Sequence, residues 1–176
     1  MAVLSIRTFG DPVLRQRARE VERITDVHRR VIADMFETMR DAPGVGLAAP
    51  QLGVLERIFV WEVEERHGAV VNPVIVERSK EEVEEEEGCL SLPGLLFPVR
   101  RSERVVIEGL DENGRAVREE GSELLARVFQ HEIDHLDGVL FIDRLPEALR
   151  KEATSKLADQ ALGFPATPEV QPEAAL

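Results

Sequence analysis

Helical and strand-like segments share this chain, and three observations predict a mixed α and β protein with antiparallel pairing. Apolar residues recur every fourth position near residue 30, and a second helical pattern runs through residue 130. Runs rich in β-branched and aromatic residues fill the stretches between. An Asn-Gly dipeptide joins two such runs, which is a hairpin signal. The 176 residues suffice for one compact core and are few for two.

Taken in order, Thr25 is placed to cap a helix in which Val27, Val31, Met35 and Met39 form one stripe, ending near Arg40 before Pro43 and Gly44. The segment G-V-G-L-A-A-P-Q, from Gly44 to Gln51, combines two glycines and a proline with small apolar residues and reads as an ordered, buried loop. Arg57 to Val63 and Ala69 to Val76 read as strands, with Pro73 marking an edge or a bulge in the second. The acidic run Glu81 to Glu87 reads as the exposed part of a strand leading into Cys89.

Arg104 to Leu110 and Arg115 to Glu119 flank D-E-N-G, where Asn113-Gly114 supplies the positive φ angles of a tight turn. Ser122 is placed to cap a helix through Asp137, with Leu125, Val128, Phe129, Glu132 and Leu136 close together on its surface and Gly138 as its C-terminal stop. A short apolar segment follows, and Pro146 opens a last helix as its first residue, reaching about Leu162. The chain ends in a proline-rich tail with little to bury. We expect one domain over residues 1–163 and a flexible tail over 164–176.

The net charge of −12 argues against a nonspecific grip on nucleic acid or an anionic membrane, both of which need basic patches. No apolar run approaches the roughly 20 residues that span a bilayer, and the N-terminus lacks the pattern of a secretory signal. A cytoplasmic protein is expected. Its single cysteine, Cys89, has no internal disulfide partner, which leaves a core thiol, a surface thiol, a metal ligand or a nucleophile.

The chemistry concentrates in Q-H-E-I-D-H-L-D-G, from Gln130 to Gly138, which holds two of the chain's four histidines. On a helix, His131 and His135 project from the same face and can hold one ion between them. Glu132 then lies beside the ion, where its carboxylate can take a proton from an attacking water and pass it to a leaving group. A solvated polar helix face is the plain alternative. Asp134 and Asp137 read as surface carboxylates, with a pairing to arginine or histidine open for Asp134.

A catalytic divalent ion usually takes three protein ligands and keeps one position open. Phe141 occupies the place where an extended H-E-x-x-H-x-x-G-x-x-H motif would need a third histidine. Glu152 is available downstream but lies in a predicted surface helix. Upstream, Cys89 in E-G-C-L-S stands where a strand end or turn could present its thiol, and Cys-His-His would complete the set. A cysteine nucleophile would need a histidine base that a metal would compete for.

Three separated motifs now resemble those of the peptide deformylases: G-V-G-L-A-A-P-Q, E-G-C-L-S from Glu87 to Ser91, and Q-H-E-I-D-H-L-D-G. Their order and spacing resemble a bacterial deformylase over nearly the whole chain. The resemblance implies an α+β domain in which small antiparallel β-sheets surround the central helix carrying the H-E-x-x-H motif. It implies removal of the formyl group from the N-terminal formyl-methionine of new polypeptides, with release of formate.

Carried over residue by residue, the resemblance makes Cys89, His131 and His135 the ligands of one Fe2+, a set that would also accept Zn2+, Ni2+ or Co2+. Glu132 becomes the general acid/base, while the Gln51 side chain and the Leu90 backbone N–H donate to the oxyanion. Gly44, Val45 and Gly46 match the segment that holds the substrate backbone as an added strand. Val45, Leu124, Val128 and His131 would line a methionine pocket, although Leu124 and Val128 read equally well as core. The formylated N-terminus of a nascent chain is the implied partner. Family members with a basic C-terminal helix use it to approach the ribosome; the mixed-charge end of this chain puts that route in doubt.

Two rival readings stay open at this level. A zinc endopeptidase would use Glu152 as its third ligand. A noncatalytic metal-binding module would instead use its acidic surface to recruit a basic partner.

Overall fold

The structure is a computed structural model that describes residues 2–163; the tail expected over 164–176 lies outside them. Seven strands and three α-helices follow one another in the order α1 (Asp26–Asp41), β1 (Gly46–Ala48), β2 (Ile58–Val63), β3 (Arg66–Arg78), β4 (Glu82–Cys89), β5 (Leu92–Ser102), β6 (Arg104–Leu110), β7 (Ala116–Ser122), α2 (Glu123–Leu136) and α3 (Glu147–Ala161). Five strands form an antiparallel sheet in the order β1-β2-β3-β6-β7, and β4 and β5 pair as a separate hairpin. The fold is α+β, as expected.

Strand β2 shows why α2 sits where it does. Its side chains alternate between faces, so Phe59 and Trp61 pack with Val128, Phe129 and Ile133 of α2, whereas Ile58 and Val60 pack with Met35 and Met39 of α1. The sheet is therefore covered on both sides. Apolar area removed from water at roughly 25 cal/mol per Å2 holds both helices down, and Phe59, Trp61 and Phe129 are each almost fully buried. A third cluster joins the β4-β5 hairpin to α3 and to a 3-10 turn at Phe141–Arg144.

Several sequence expectations need correction. Val27 is 67% exposed while Ile32 is buried beside Met35 and Met39. A four-residue repeat drifts roughly 40° per step around a 3.6-residue helix, so a stripe of that spacing leaves the core within three steps. Residues 44–51 are buried from Gly46 onward, but they are not only loop: they hold β1 and the start of a 3-10 turn at Ala49–Leu52. Pro73 sits at a register shift against β6 and beyond Val71, the last β3 residue paired with β2, so it marks a bulge on one side and, among the described residues, an unpaired edge on the other.

In the β6-β7 turn only Gly114 has a positive φ; Asn113 does not, and Asp111 Oδ1 instead accepts from the backbone of Asn113 and Arg115. Thr25 caps α1 together with His28, whose Nδ1 accepts from the Thr25 N–H at 3.0 Å. Ser122 makes no side-chain cap to α2. Pro146 stands one residue before α3 rather than inside it. Strand β5 has no clear sequence signature, because Pro93, Gly94 and Pro98 punctuate it.

Candidate active site

Helix α2 is buried along almost its whole length, including polar residues that ordinarily face water. His131, Glu132 and His135 lie on its inner side, each at most 2% exposed. Strand β4 ends at Cys89, which its pairing with β5 delivers to the helix from the hairpin side. The thiol and one nitrogen of each imidazole lie within 4.8 Å of one another. Cys89 Sγ is 3.3 Å from His135 Nε2.

These donors fit a metal ion. Ligand atoms of a tetrahedral Cys/His site stand roughly 3.5 Å apart, given metal–sulfur and metal–nitrogen bonds near 2.3 and 2.0 Å. His131 Nε2 is buried with no hydrogen-bond partner, which costs free energy unless a cation meets it. Its other nitrogen, Nδ1, is 2.6 Å from Glu87 Oε1, and that contact turns Nε2 toward the thiol.

Glu87 lies at the centre of a buried charge network. Burial alone would push its carboxyl up, but the His131 ring and the Arg101 guanidinium hold it well below the usual carboxylate range. Arg101 donates to both Glu87 oxygens and, through Nη1, to Asp134 at 2.6 Å; Arg127 Nη1 reaches Glu87 at 2.8 Å. Asp134 also receives Arg144. It is thus buried and doubly paired rather than a surface carboxylate. Asp137 is part-exposed and bonds Arg57 at 2.8 Å.

Neither oxygen of the Glu132 carboxylate has a partner. Burial pushes it up to about 7, against the opposing pull of His131, which suits a group that gains and loses a proton near neutrality. Space beside it exists because residue 46 is glycine: a Cβ there would stand 2.4 Å from Glu132 Oε1 and 3.0 Å from Val128 Cγ1.

Gln51 is fully buried on the 3-10 turn after β1. Its Oε1 accepts from the Ala48 N–H at 2.8 Å, and its Nε2 faces Ser91 Oγ at 3.1 Å and Cys89 Sγ at 3.8 Å. Leu90 follows Cys89 at the hairpin turn, half-buried. Gly44 and Val45 lead into β1, the first strand in the sheet order, whose outer edge has no strand partner among the described residues. Val45 packs partly buried on the α2 cluster, Val128 is fully buried, and Leu124 is 37% exposed. The three motifs thus converge on one place.

Glu152 does not join them. It lies on the exposed α3 and pairs with Lys156, so the reading that makes it a ligand fails. Glu87, Arg101 and Ser91 were missed from sequence. For Glu87 a signal existed, since it precedes Cys89 by two residues, the spacing that returns to one face of a strand.

A helix carrying H-E-x-x-H, a thiol brought to it by a hairpin and a free carboxylate beside the donors make a mononuclear metallohydrolase centre. Comparison with known proteins narrows the class. Residues 3–151 match the family described as polypeptide deformylase. The chain is 56% identical over 153 residues to a peptide deformylase of Acidothermus cellulolyticus, covering 87% of this chain and 84% of that one. A peptide deformylase of Parafrankia sp. is 49% identical over 160 residues, covering 90% and 87%. Among solved structures, the peptide deformylase of Thermus thermophilus superposes with a TM-score of 0.84 at 50% identity, covering 92% and 97% of the two chains. That of Ehrlichia chaffeensis in complex with actinonin gives 0.87 at 40% identity, covering 91% and 98%. The chain belongs to the polypeptide deformylase family. Among the described residues, no helix is long and apolar enough to cross a membrane.

Proposed function

We propose that this chain hydrolyses the formyl group from the N-terminal formyl-methionine of newly made polypeptides, using one Fe2+ held by Cys89, His131 and His135. The observation that carries this reading is the convergence of one thiol and two imidazoles within 4.8 Å beside an unpartnered buried carboxylate. Family membership supplies the substrate class. Iron rather than Zn2+, Ni2+ or Co2+ is our assignment from the resemblance, since the donor set alone accepts all four.

When bound, the ion supplies Lewis acidity that polarises the formyl oxygen and acidifies the attacking water. Glu132 takes a proton from that water as its oxygen bonds to the formyl carbon, and returns it to the nitrogen as the C–N bond breaks. Formate and a free amine result. Negative charge on the formyl oxygen meets the Gln51 amide and the Leu90 backbone N–H, each fixed donor contributing a few kcal/mol. The peptide lies along the open edge of β1 near Gly44, Val45 and Gly46 as an added strand, with its methionine toward Val45, Leu124, Val128 and His131.

We assign residues 1–163 to one catalytic domain and 164–176 to a tail. A cytoplasmic location fits the lone reduced cysteine, and the acidic balance speaks against direct nucleic-acid binding. Anaerobic purification with elemental analysis, followed by formate release from a formyl-methionyl peptide, tests the reading. Iron at one equivalent with formate release supports it. Cleavage of internal peptide bonds, or no release with any of the four metals, overturns it.

A further inference from the structure

We infer that Ser91 is a positioning residue that holds the Gln51 amide in its reactive orientation. This rests on the proposed role of Gln51 as an oxyanion donor. Both side chains are fully buried, so water cannot replace either as a hydrogen-bond partner. The amide is fixed at both ends. Its Oε1 accepts from the Ala48 N–H at 2.8 Å, and a flipped amide would set an NH2 group against that donor.

The remaining freedom is rotation of the amide plane, which decides where two N–H bonds point. One has an acceptor in Ser91 Oγ at 3.1 Å. The geometry of a planar NH2 group then directs the second toward Cys89 Sγ, 3.8 Å away and too distant to be a strong acceptor. That N–H is the one left for an oxygen forming beside the thiol. Backbone contacts keep the two residues in step, because Ser91 C=O accepts from Phe9 and Gln51 C=O from Arg7 on the same N-terminal segment. The hydroxyl therefore acts through Gln51 rather than on the substrate.

Ser91→Ala removes one oxygen and adds no volume, so the fold and the ligand set should survive. We expect kcat to fall roughly tenfold or more while KM stays near its original value, as for a weakened oxyanion donor. Metal content per chain should be unchanged. In the Gln51→Ala background the same serine substitution should cost nothing further, since its only route of action is gone. Independently of turnover, the Gln51 side-chain amide resonances of a 15N-labelled zinc form, assigned by their loss in Gln51→Ala, should shift in Ser91→Ala. Equal losses in both backgrounds, reduced metal content, unmoved amide resonances or an undiminished kcat would each overturn the inference. If Gln51→Ala itself leaves kcat intact, the oxyanion role of Gln51 fails, and the inference fails with it.

Discussion

Nδ1 of His131 lies 2.6 Å from Oε1 of Glu87, a carboxylate with no solvent exposure that Arg101 and Arg127 also grip. The contact fixes which ring nitrogen faces the thiol, and it adds negative charge behind the ring. Replacing Glu87 with Gln keeps an acceptor of the same shape but removes the charge. We expect metal affinity to fall about 10- to 100-fold, read by competition with a chelator. Glu87→Ala should do more, because it leaves two buried guanidiniums short of an anion, at a cost of about 3–5 kcal/mol in urea unfolding. Equal metal affinity in wild type and Glu87→Gln would show that the network is structural only.

The candidate ligands were legible in the sequence because their spacing is local. His131, Glu132 and His135 share a helix, and Cys89 stands in a motif of its own. What surrounds them was not legible. Arg101 reaches Glu87 across the β4-β5 hairpin and Asp134 on α2, contacts that depend on a strand, β5, whose prolines and glycine hide it. Nor does a four-residue repeat reveal that Val27 faces water, because helical drift has to be summed over the whole segment.

Glu132→Ala should retain the metal and lose essentially all formate release. Its carboxylate has no hydrogen bond to break, so removing it disturbs no partner, although it leaves a cavity. Elemental analysis beside a formate assay checks this. A variant that turns over near the wild-type rate would remove Glu132 from the mechanism.

Metal removal should abolish activity, and Fe2+, Co2+ or Ni2+ added anaerobically should restore it. The iron form should then decay in air or peroxide as the Cys89 sulfur climbs the oxidation ladder, visible as added oxygen in the intact mass. An iron-loaded protein indifferent to prolonged peroxide would argue for another metal.

Gly46→Ala should harm catalysis more than stability. The new Cβ falls 2.4 Å from Glu132 Oε1 and 2.9 Å from its Cδ, and the buried carboxylate cannot move aside without leaving its place. Overpacking of this kind costs about 1–3 kcal/mol, measurable in urea, while formate release should nearly vanish because the displaced group is the proposed acid/base. A variant losing stability but keeping its turnover would mean that Glu132 works from a different rotamer.

Leu124 and Val128, one turn apart on α2, can be told apart by the same pair of measurements. Val128 is fully buried in the cluster formed by the sheet and α2, so Val128→Ala should cost stability through a cavity, by about 1–3 kcal/mol, whatever it does to substrate. Leu124 is 37% exposed and lies outside that cluster, so Leu124→Ala should leave the urea midpoint within about 0.5 kcal/mol of wild type. If Leu124 lines the methionine pocket, its truncation removes apolar contact with the substrate side chain, and KM for formyl-methionyl peptides should rise several-fold with kcat little changed. An unchanged KM in Leu124→Ala would exclude it from the pocket and leave Val45, Val128 and His131 to hold the methionine.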